Sequence, residues 1–212
     1  MISLHNLSKE YHHHFVLEHL NIEFNKKINF IVGQNGEGKT TLINILLGIV
    51  KPTSGYFTID GILIKYSNGR YRKNIGISIN IPTYPFHYKV NEFITLLYQI
   101  YGIYKDVDYE NELIDFFDLR KYLDYKISDL STGFIQRVKL FSSMLHKPKI
   151  YIYDEPFISL DDEFVEKFVL KIKSLKQDDC YFIISSHNTK TINLFDDYNI
   201  YKIEKKNIKK IN

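Results

Sequence analysis

A glycine-rich stretch at residues 33–40, GQNGEGKT, has the spacing G-x-x-x-x-G-K-[ST] of a phosphate-binding loop. The apolar run KINFIV precedes it, and TLINILLGIV, which has the apolar density of a buried helix, follows it. Glycines let backbone N–H groups curl around phosphate oxygens, and the N-terminus of the next helix adds partial positive charge. We expect Lys39 to reach the terminal phosphates of a nucleotide and Thr40 to offer its hydroxyl to Mg²⁺. The residues predicted to bind the nucleotide are Gly33, Asn35, Gly36, Glu37, Gly38, Lys39, Thr40 and Thr41.

Two further apolar segments end in polar residues that suit the same chemistry. In KIYIYDEP, Asp154 and Glu155 stand at the carboxyl end of a predicted strand, where open α/β sheets bind ligands. Asp154 is expected to hold Mg²⁺, directly or through water, and Glu155 to polarise the water that attacks the γ-phosphate. CYFIISSHN places His187 at the end of another strand, where it would contact the γ-phosphate or orient that water. Taken alone, the carboxylates would indicate a solvated loop and the histidine a structural residue. Beside the phosphate loop they indicate catalysis, together with Lys39.

Composition limits the class of protein. The chain has 212 residues, of which 44% are hydrophobic and 25% charged, so it is globular rather than disordered. The net charge is only +3 and the basic residues are scattered along the chain, which does not favour nucleic acid as a partner. Only the tail YKIEKKNIKKIN gathers lysines, and we expect this tail to be a solvated C-terminus rather than a membrane contact. Cys180 is the single cysteine and is expected in the core. The chain shows neither a signal-peptide pattern nor the ~18 uninterrupted apolar residues of a membrane span, and is expected in the cytosol.

The order of elements predicts a mixed α/β fold. Two alternating segments at the N-terminus read like edge strands of a small antiparallel sheet. Buried strands alternate with helices afterwards, which indicates a mainly parallel sheet covered on both faces. We expect one domain over 1–212, with the core and β-subdomain at about 1–81 and 148–212 and an inserted helical subdomain at about 82–147.

Five motifs follow one another along the chain: the loop at 33–41, LSTGFIQR at 130–137, IYIYDEP at 150–156, SLD at 159–161 and His187. In this order they resemble the motifs of the ATP-binding subunit of an ABC transporter. The resemblance implies a P-loop NTPase (RecA-like) core and two subunits packed head to tail. It also implies that Ser131 and Gly133 contact the nucleotide of the partner subunit, and that Ser159 and Asp161 lie at the dimer contact.

The chain departs from the family pattern at several positions. Thr132 and Phe134 stand where the similar motif has glycine and glutamine; the Ser-Thr-Gly form resembles exporters of peptides and drugs, and Phe134 removes a polar group from the dimer interface. The glutamine that contacts Mg²⁺ in the family falls at Asn80, a shorter amide that we expect to contact Mg²⁺ or its water. Tyr11 is expected to stack on adenine. The neighbouring histidines, His12 to His14, predict an exposed turn rather than a metal site, since consecutive residues cannot all point to one centre.

The aromatic residues of PTYPFHYK leave two interpretations open. Tyr84, Phe86 and Tyr88 would suit a groove where a cytoplasmic helix of the membrane partner docks, as the resemblance implies for this region. They would equally suit packing within the helical subdomain.

The sequence as a whole predicts an ATPase that energises transport, with ATP and Mg²⁺ as cofactors. Its partners would be a membrane permease subunit and a second ATPase subunit, in a homo- or heterodimer at the inner face of the membrane, with export of a peptide or drug. The main alternative is a soluble ABC-type ATPase acting on ribosomes or nucleic acid; such proteins usually carry two cassettes or long coiled-coil insertions. A third is a regulatory or immunity subunit with little turnover, which the presence of Glu155 and His187 disfavours.

Overall fold

The structure is a computed structural model that describes residues 1–65, 69–79 and 84–211. The helices are α1 (Lys39–Leu46), α2 (Val90–Tyr101), α3 (Val107–Phe116), α4 (Thr132–Met144), α5 (Asp162–Gln177) and α6 (Thr189–Ile192). The strands are β1 (Ile2–Tyr11), β2 (His14–Phe24), β3 (Ile28–Val32), β4 (Ser54–Ile59), β5 (Ile62–Leu63), β6 (Ile75–Ser78), β7 (Ile150–Asp154), β8 (Tyr181–Ser185), β9 (Asn199–Glu204) and β10 (Asn207–Lys210).

The first sheet is antiparallel and has the strand order β2-β1-β4-β5. Because β1 pairs with both β2 and β4, it is an interior strand, and the prediction of an edge strand was wrong for it. The two strands β1 and β2 are joined at His12 and His13, whose φ angles of 49° and 64° are those of a tight hairpin turn. The predicted exposed turn is found at His12 and His13, whereas His14, also exposed, is the first residue of β2.

The second sheet has the order β10-β9-β3-β8-β7-β6, and its strands from β9 to β6 run parallel. Strands β3, β7 and β8 are almost wholly buried, as expected for parallel strands covered on both faces. Their carboxyl ends lie side by side, and each leads into one of the polar segments described above. This sheet edge therefore collects the phosphate loop, Asp154 and His187 without any of them being close in sequence.

A helical region packs against one end of the parallel sheet. Val138 and Phe141 of α4 and Leu145 just after it are buried, while Phe134 is half-buried. The aromatic residues Phe117 and Phe168 complete this core. Within the described ranges, none of the helices has the length and apolar character that a membrane crossing requires.

The C-terminal tail is a β-hairpin, and the expectation of a solvated terminus was wrong for its apolar residues. Tyr201, Ile203 and Ile208 are buried, and the intervening lysines face solvent. Period-two alternation in YKIE was the signal for a strand with one buried face. Cys180 is buried and free, as predicted.

Candidate functional site

The phosphate loop connects β3 to α1 and depends on its glycines. Gly36 and Gly38 have φ angles of 85° and 102°, in the left-handed region that favours glycine. A Cβ atom at Gly38 would lie 2.9 Å from the side chain of Leu17. The backbone there can therefore curl at the start of α1, with its first amide groups directed out of the helix end.

Two charged side chains of the loop are turned onto its own backbone. The buried Lys39 donates from Nζ to the carbonyl oxygens of Gly33 and Gln34, at 2.8 and 3.1 Å. Glu37 accepts a hydrogen bond of 2.6 Å from the backbone N–H of Gln34. The ammonium group is thus held over the loop, where an anionic ligand would meet it.

The hydroxyl of Thr40 and the carboxylate of Asp154, each predicted to bind Mg²⁺, meet beside the loop. Thr40 Oγ1 donates to Asp154 Oδ2 at 2.7 Å. Asp154 is 8% exposed, and its other oxygen accepts a hydrogen bond from Ser185. Mg²⁺ prefers oxygen ligands such as carboxylates and hydroxyls, so the Thr40–Asp154 pair fits that ion.

Ser185 is a site residue that the sequence analysis missed. It is fully buried at the end of β8, opposite Asp154 in the parallel register. Its Oγ also accepts from the backbone N–H of Glu155 at 2.9 Å. A hydroxyl at the last position of an otherwise apolar strand, YFIIS, was the available signal.

Glu155 and His187, both expected at this edge of the sheet, are in contact with each other. His187 Nδ1 lies 2.8 Å from Glu155 Oε1. Glu155 has a φ angle of 50°, an uncommon conformation for a residue with a side chain, and such strain concentrates at functional sites. The contact holds the Glu155 side chain, which is 16% exposed, beside the cavity described next.

A cavity of about 250 Å³ lies between these groups. In the described part of the chain it is lined by Asn35, Gly36, Gly38, Lys39, Thr40, Thr41, Asp154 and Glu155. Tyr11, the predicted adenine platform, is 42% exposed at the end of β1, with Lys9 Nζ 4.5 Å from its ring centre. Asn80 lies outside the described residues.

The Ser-Thr-Gly segment forms the start of α4. Ser131 is the N-cap residue, and its exposed hydroxyl accepts from the backbone N–H of Phe134 at 3.4 Å. Gly133 packs against the loop that holds Ser159 and Asp161, because a Cβ atom there would lie 2.7 Å from the carbonyl oxygen of Ser159. The helix start is therefore exposed and lies beside that loop, and the first amide groups of a helix have no acceptor within the helix itself.

Asp161 caps α5 through a hydrogen bond of 2.8 Å from the backbone N–H of Phe164. That bond, followed by the ion pair with Arg137, lowers the pKa of the Asp161 carboxyl below its usual value. Gln136 ties α4 to the segment after β7, since its Nε2 donates to the carbonyl oxygen of Pro156 at 2.9 Å.

Tyr84, Phe86 and Tyr88 are partly buried against the core of the helical region. The ring centre of Tyr84 lies 5.4 Å from that of Phe93 and 5.6 Å from that of Phe86. Burial raises the pKa of the Tyr84 hydroxyl. Tyr88 packs on the same core. Tyr84 also lines a mostly apolar cavity of about 220 Å³ with Ile49, Arg72, Ile77, Ser78, Ile79 and Lys139. Packing within the helical region is thus observed, and Tyr84 contributes to the cavity as well.

The fold and this site define a P-loop nucleotide-binding protein. The family model described as "ABC transporter" matches residues 17–158. The chain is 32% identical over 194 residues to the zinc import ATP-binding protein ZnuC of Rickettsia bellii, covering 91% of this chain and 78% of that protein. It is 31% identical to the bacitracin transport ATP-binding protein BcrA of Bacillus licheniformis, over 86% of this chain but only 60% of that protein.

A solved structure shows the same architecture. It is the dimeric post-hydrolysis state of the ATP-binding cassette MJ0796 bound to ADP and Pi, with a TM-score of 0.86 and 21% identity over 100% of this chain and 98% of that one. The chain belongs to the ABC transporter family and is an ATP-binding subunit, an ATPase.

Proposed function

We propose that this ATPase energises the export of a peptide or drug through a separate membrane permease subunit. The observation that carries its catalytic part is the arrangement of Thr40, Asp154 and Glu155 around the cavity of the phosphate loop. The proposal that the cargo is exported rests on the Ser-Thr-Gly form of the start of α4. The names of relatives refer to bacitracin transport, zinc import and ribose import, so these names do not identify the cargo of this protein.

The residues of the site divide the work of phosphoryl transfer to water. Lys39 and the backbone amides from Asn35 to Thr41 bind the phosphates, and Tyr11 stacks on adenine. Thr40 and Asp154 would hold Mg²⁺, with Asn80 as a further ligand or water contact. The ion would supply positive charge against the phosphate oxygens. Glu155 accepts a proton from the attacking water, and His187 fixes the orientation of its carboxylate.

The chain acts, in this proposal, as one ATPase domain over 1–212 that pairs with a second ATPase subunit. Ser131 and Gly133 present a helix N-terminus to the phosphates bound by the other subunit, because such an end favours anions. Ser159 and Asp161 lie next to that helix start and join the same contact. ATP then closes the dimer and hydrolysis releases it.

The permease is proposed to dock at the cavity beside Tyr84, which would place the chain at the inner face of the membrane. The cavity is mostly apolar and has Arg72 and Lys139 among its lining residues. Such a surface suits an amphipathic helix with an acidic end.

A trapped variant tests the proposal. Glu155→Gln removes the carboxylate without changing the size of the side chain, and we expect hydrolysis to fall ~100-fold or more while ATP binding persists. Glu166→Gln, an exposed glutamate on α5, is the matched control and is expected to behave as wild type. The measurement is co-purification of the tagged variant from native membranes, with and without ATP and Mg²⁺.

An ATP-stabilised dimer that co-purifies with a polytopic membrane protein is the expected result and identifies the permease. Recovery with ribosomes or DNA would instead support the ABC-type ATPase that has no membrane partner. Loss of ATP binding in Glu155→Gln with normal folding would contradict the role assigned to this carboxylate.

A further inference from the structure

Arg137 of α4 is held by two carboxylates from separate parts of the chain. Its Nη1 donates to Asp118, which follows α3, and its Nη2 donates to Asp161 Oδ2 at 2.8 Å. The Arg137 side chain is only 11% exposed, whereas those of Asp118 and Asp161 are 50% and 61% exposed. A largely desolvated guanidinium with two charged acceptors is fixed in orientation more strongly than an exposed surface pair.

Two aromatic rings fix the plane of the same guanidinium. Its Cζ lies 3.9 Å from the ring centre of Phe164 and 4.9 Å from that of Phe134. Arginine is the residue that can make such contacts and a forked ion pair together, because its guanidinium is planar; a lysine ammonium offers only a point charge. Phe134, which replaces the glutamine of the similar motif, therefore has a partner within its own chain.

The elements joined by Arg137 are the two that face a neighbouring subunit in the proposed dimer. Ser131 and Gly133 begin the helix that carries Arg137, and Asp161 ends the loop that begins at Ser159. Gly133 already touches this loop at the carbonyl of Ser159. Asp161 is in addition the cap of α5, so a change in its position would move the start of that helix.

We propose that Arg137 is a positioning residue that locks the segments 131–133 and 159–161 into one rigid unit, so that both reach the nucleotide of a second subunit together. The inference rests on the proposed function, because only a dimer gives these segments a phosphate to meet. Phe134 stabilises the unit by covering one face of the guanidinium, which compensates for the missing polar group of the glutamine.

Two aspartate variants separate this role from mere stabilisation of the fold. Asp161→Asn removes the charge that Arg137 binds, yet asparagine caps helices about as well as aspartate. Asp118→Asn removes the other ion pair of Arg137, and with it the longer pair of Asp118 with Lys167 at 3.6 Å, without touching the loop 159–161. Asparagine tolerates the φ angle of 55° at that position. Arg137→Lys keeps the positive charge and removes both the fork and the stacking.

The measurements are ATPase kinetics, binding of a fluorescent ATP analogue to the monomer, and ATP-dependent dimerisation in the Glu155→Gln background. For Arg137→Lys and Asp161→Asn we expect kcat to fall at least about 10-fold and the dimer to weaken by a similar factor. The affinity of the monomer for the analogue should change less than about 2-fold, because the phosphate loop of the same chain is untouched. Asp118→Asn should lower the melting temperature as much as Asp161→Asn does, with kcat within about 2-fold of wild type.

Equal loss of kcat in Asp118→Asn and Asp161→Asn would overturn the inference, since the ion pairs would then act only through folding. Unchanged kcat and dimerisation in Arg137→Lys would overturn it as well. A wild-type chain that hydrolyses no ATP and forms no ATP-dependent dimer would refute the proposed function and this inference together, so the two failures are told apart by the wild-type measurements.

Discussion

The stability of this protein should fall steeply in mild acid because of one histidine. His146 follows α4, and its ring stacks on Tyr101 with centroids 3.8 Å apart and planes 10° from parallel. Its Nε2 lies 3.2 Å from the carbonyl oxygen of Ile75, which makes that nitrogen the donor. The other nitrogen, Nδ1, is buried and has no hydrogen-bond partner in the described part of the chain. A proton placed there would carry a charge without an acceptor.

Burial of this ring lowers the pKa of His146 from 6.5 to about 4. The unfolded chain therefore takes up a proton near pH 6.5, while the folded chain does so only near pH 4. The stability that depends on neutral His146 is fully present above pH 6.5. It is lost as the pH falls from 6.5 towards 4, because the unfolded state binds more protons than the folded state in this range. At 1.36 kcal/mol per pH unit, the loss by pH 5 is about 1–2 kcal/mol, the lower figure allowing for the solvent-accessible edge of the ring.

Urea unfolding at pH 7 and pH 5 measures this effect when wild type is compared with His146→Gln. Glutamine keeps an N–H donor near the position of Nε2 but does not titrate in this range. The free energy of unfolding should drop by about 1–2 kcal/mol more in wild type than in the variant between the two pH values. The same drop in both proteins would refute the reasoning, whatever the stability of the variant at pH 7.

Two further predictions follow from the buried residues of the parallel sheet and its covering helix. Ser185→Ala removes the hydroxyl shared by Asp154 and the backbone of the next residue, so kcat should fall by about 10- to 100-fold with ATP still bound. Ser186→Ala, whose hydroxyl contacts only a neighbouring amide within the described hydrogen bonds, should retain kcat within about 3-fold; an equal loss in both would contradict the role of Ser185. Phe168→Ala should lower the free energy of unfolding by about 3–5 kcal/mol in chemical denaturation, because the ring is fully buried. Leu170→Ala, 65% exposed on the same helix, should stay within about 0.5 kcal/mol of wild type, and a comparable loss there would contradict the packing argument.

Much of the candidate site was predictable because its parts are contiguous in sequence. The loop at 33–41 carries its glycines, lysine and threonine within one turn between a strand and a helix, so its spacing alone predicts the backbone geometry that the structure shows. Asp154 and His187 could be placed at the same sheet edge because parallel strands end on one side.

Other features depend on contacts between residues far apart in the chain. Ser185 meets Asp154 only because β8 lies beside β7, and the sequence does not state the order of strands in the sheet. Arg137 gains its two acceptors from a turn after α3 and from the loop before α5, which no spacing within α4 indicates.

The sequence by itself determined the alternation of strands and helices before the C-terminal tail and which short motif can hold phosphate, because these depend on side-chain periodicity and local backbone freedom. Only the tertiary structure decided that β1 is an interior strand and that the lysine-rich tail supplies a strand to the core, through Tyr201 and Ile203. Strand partners and buried ion pairs are chosen by the packing of the whole chain, and side chains become neighbours there at separations in sequence that local propensities do not encode.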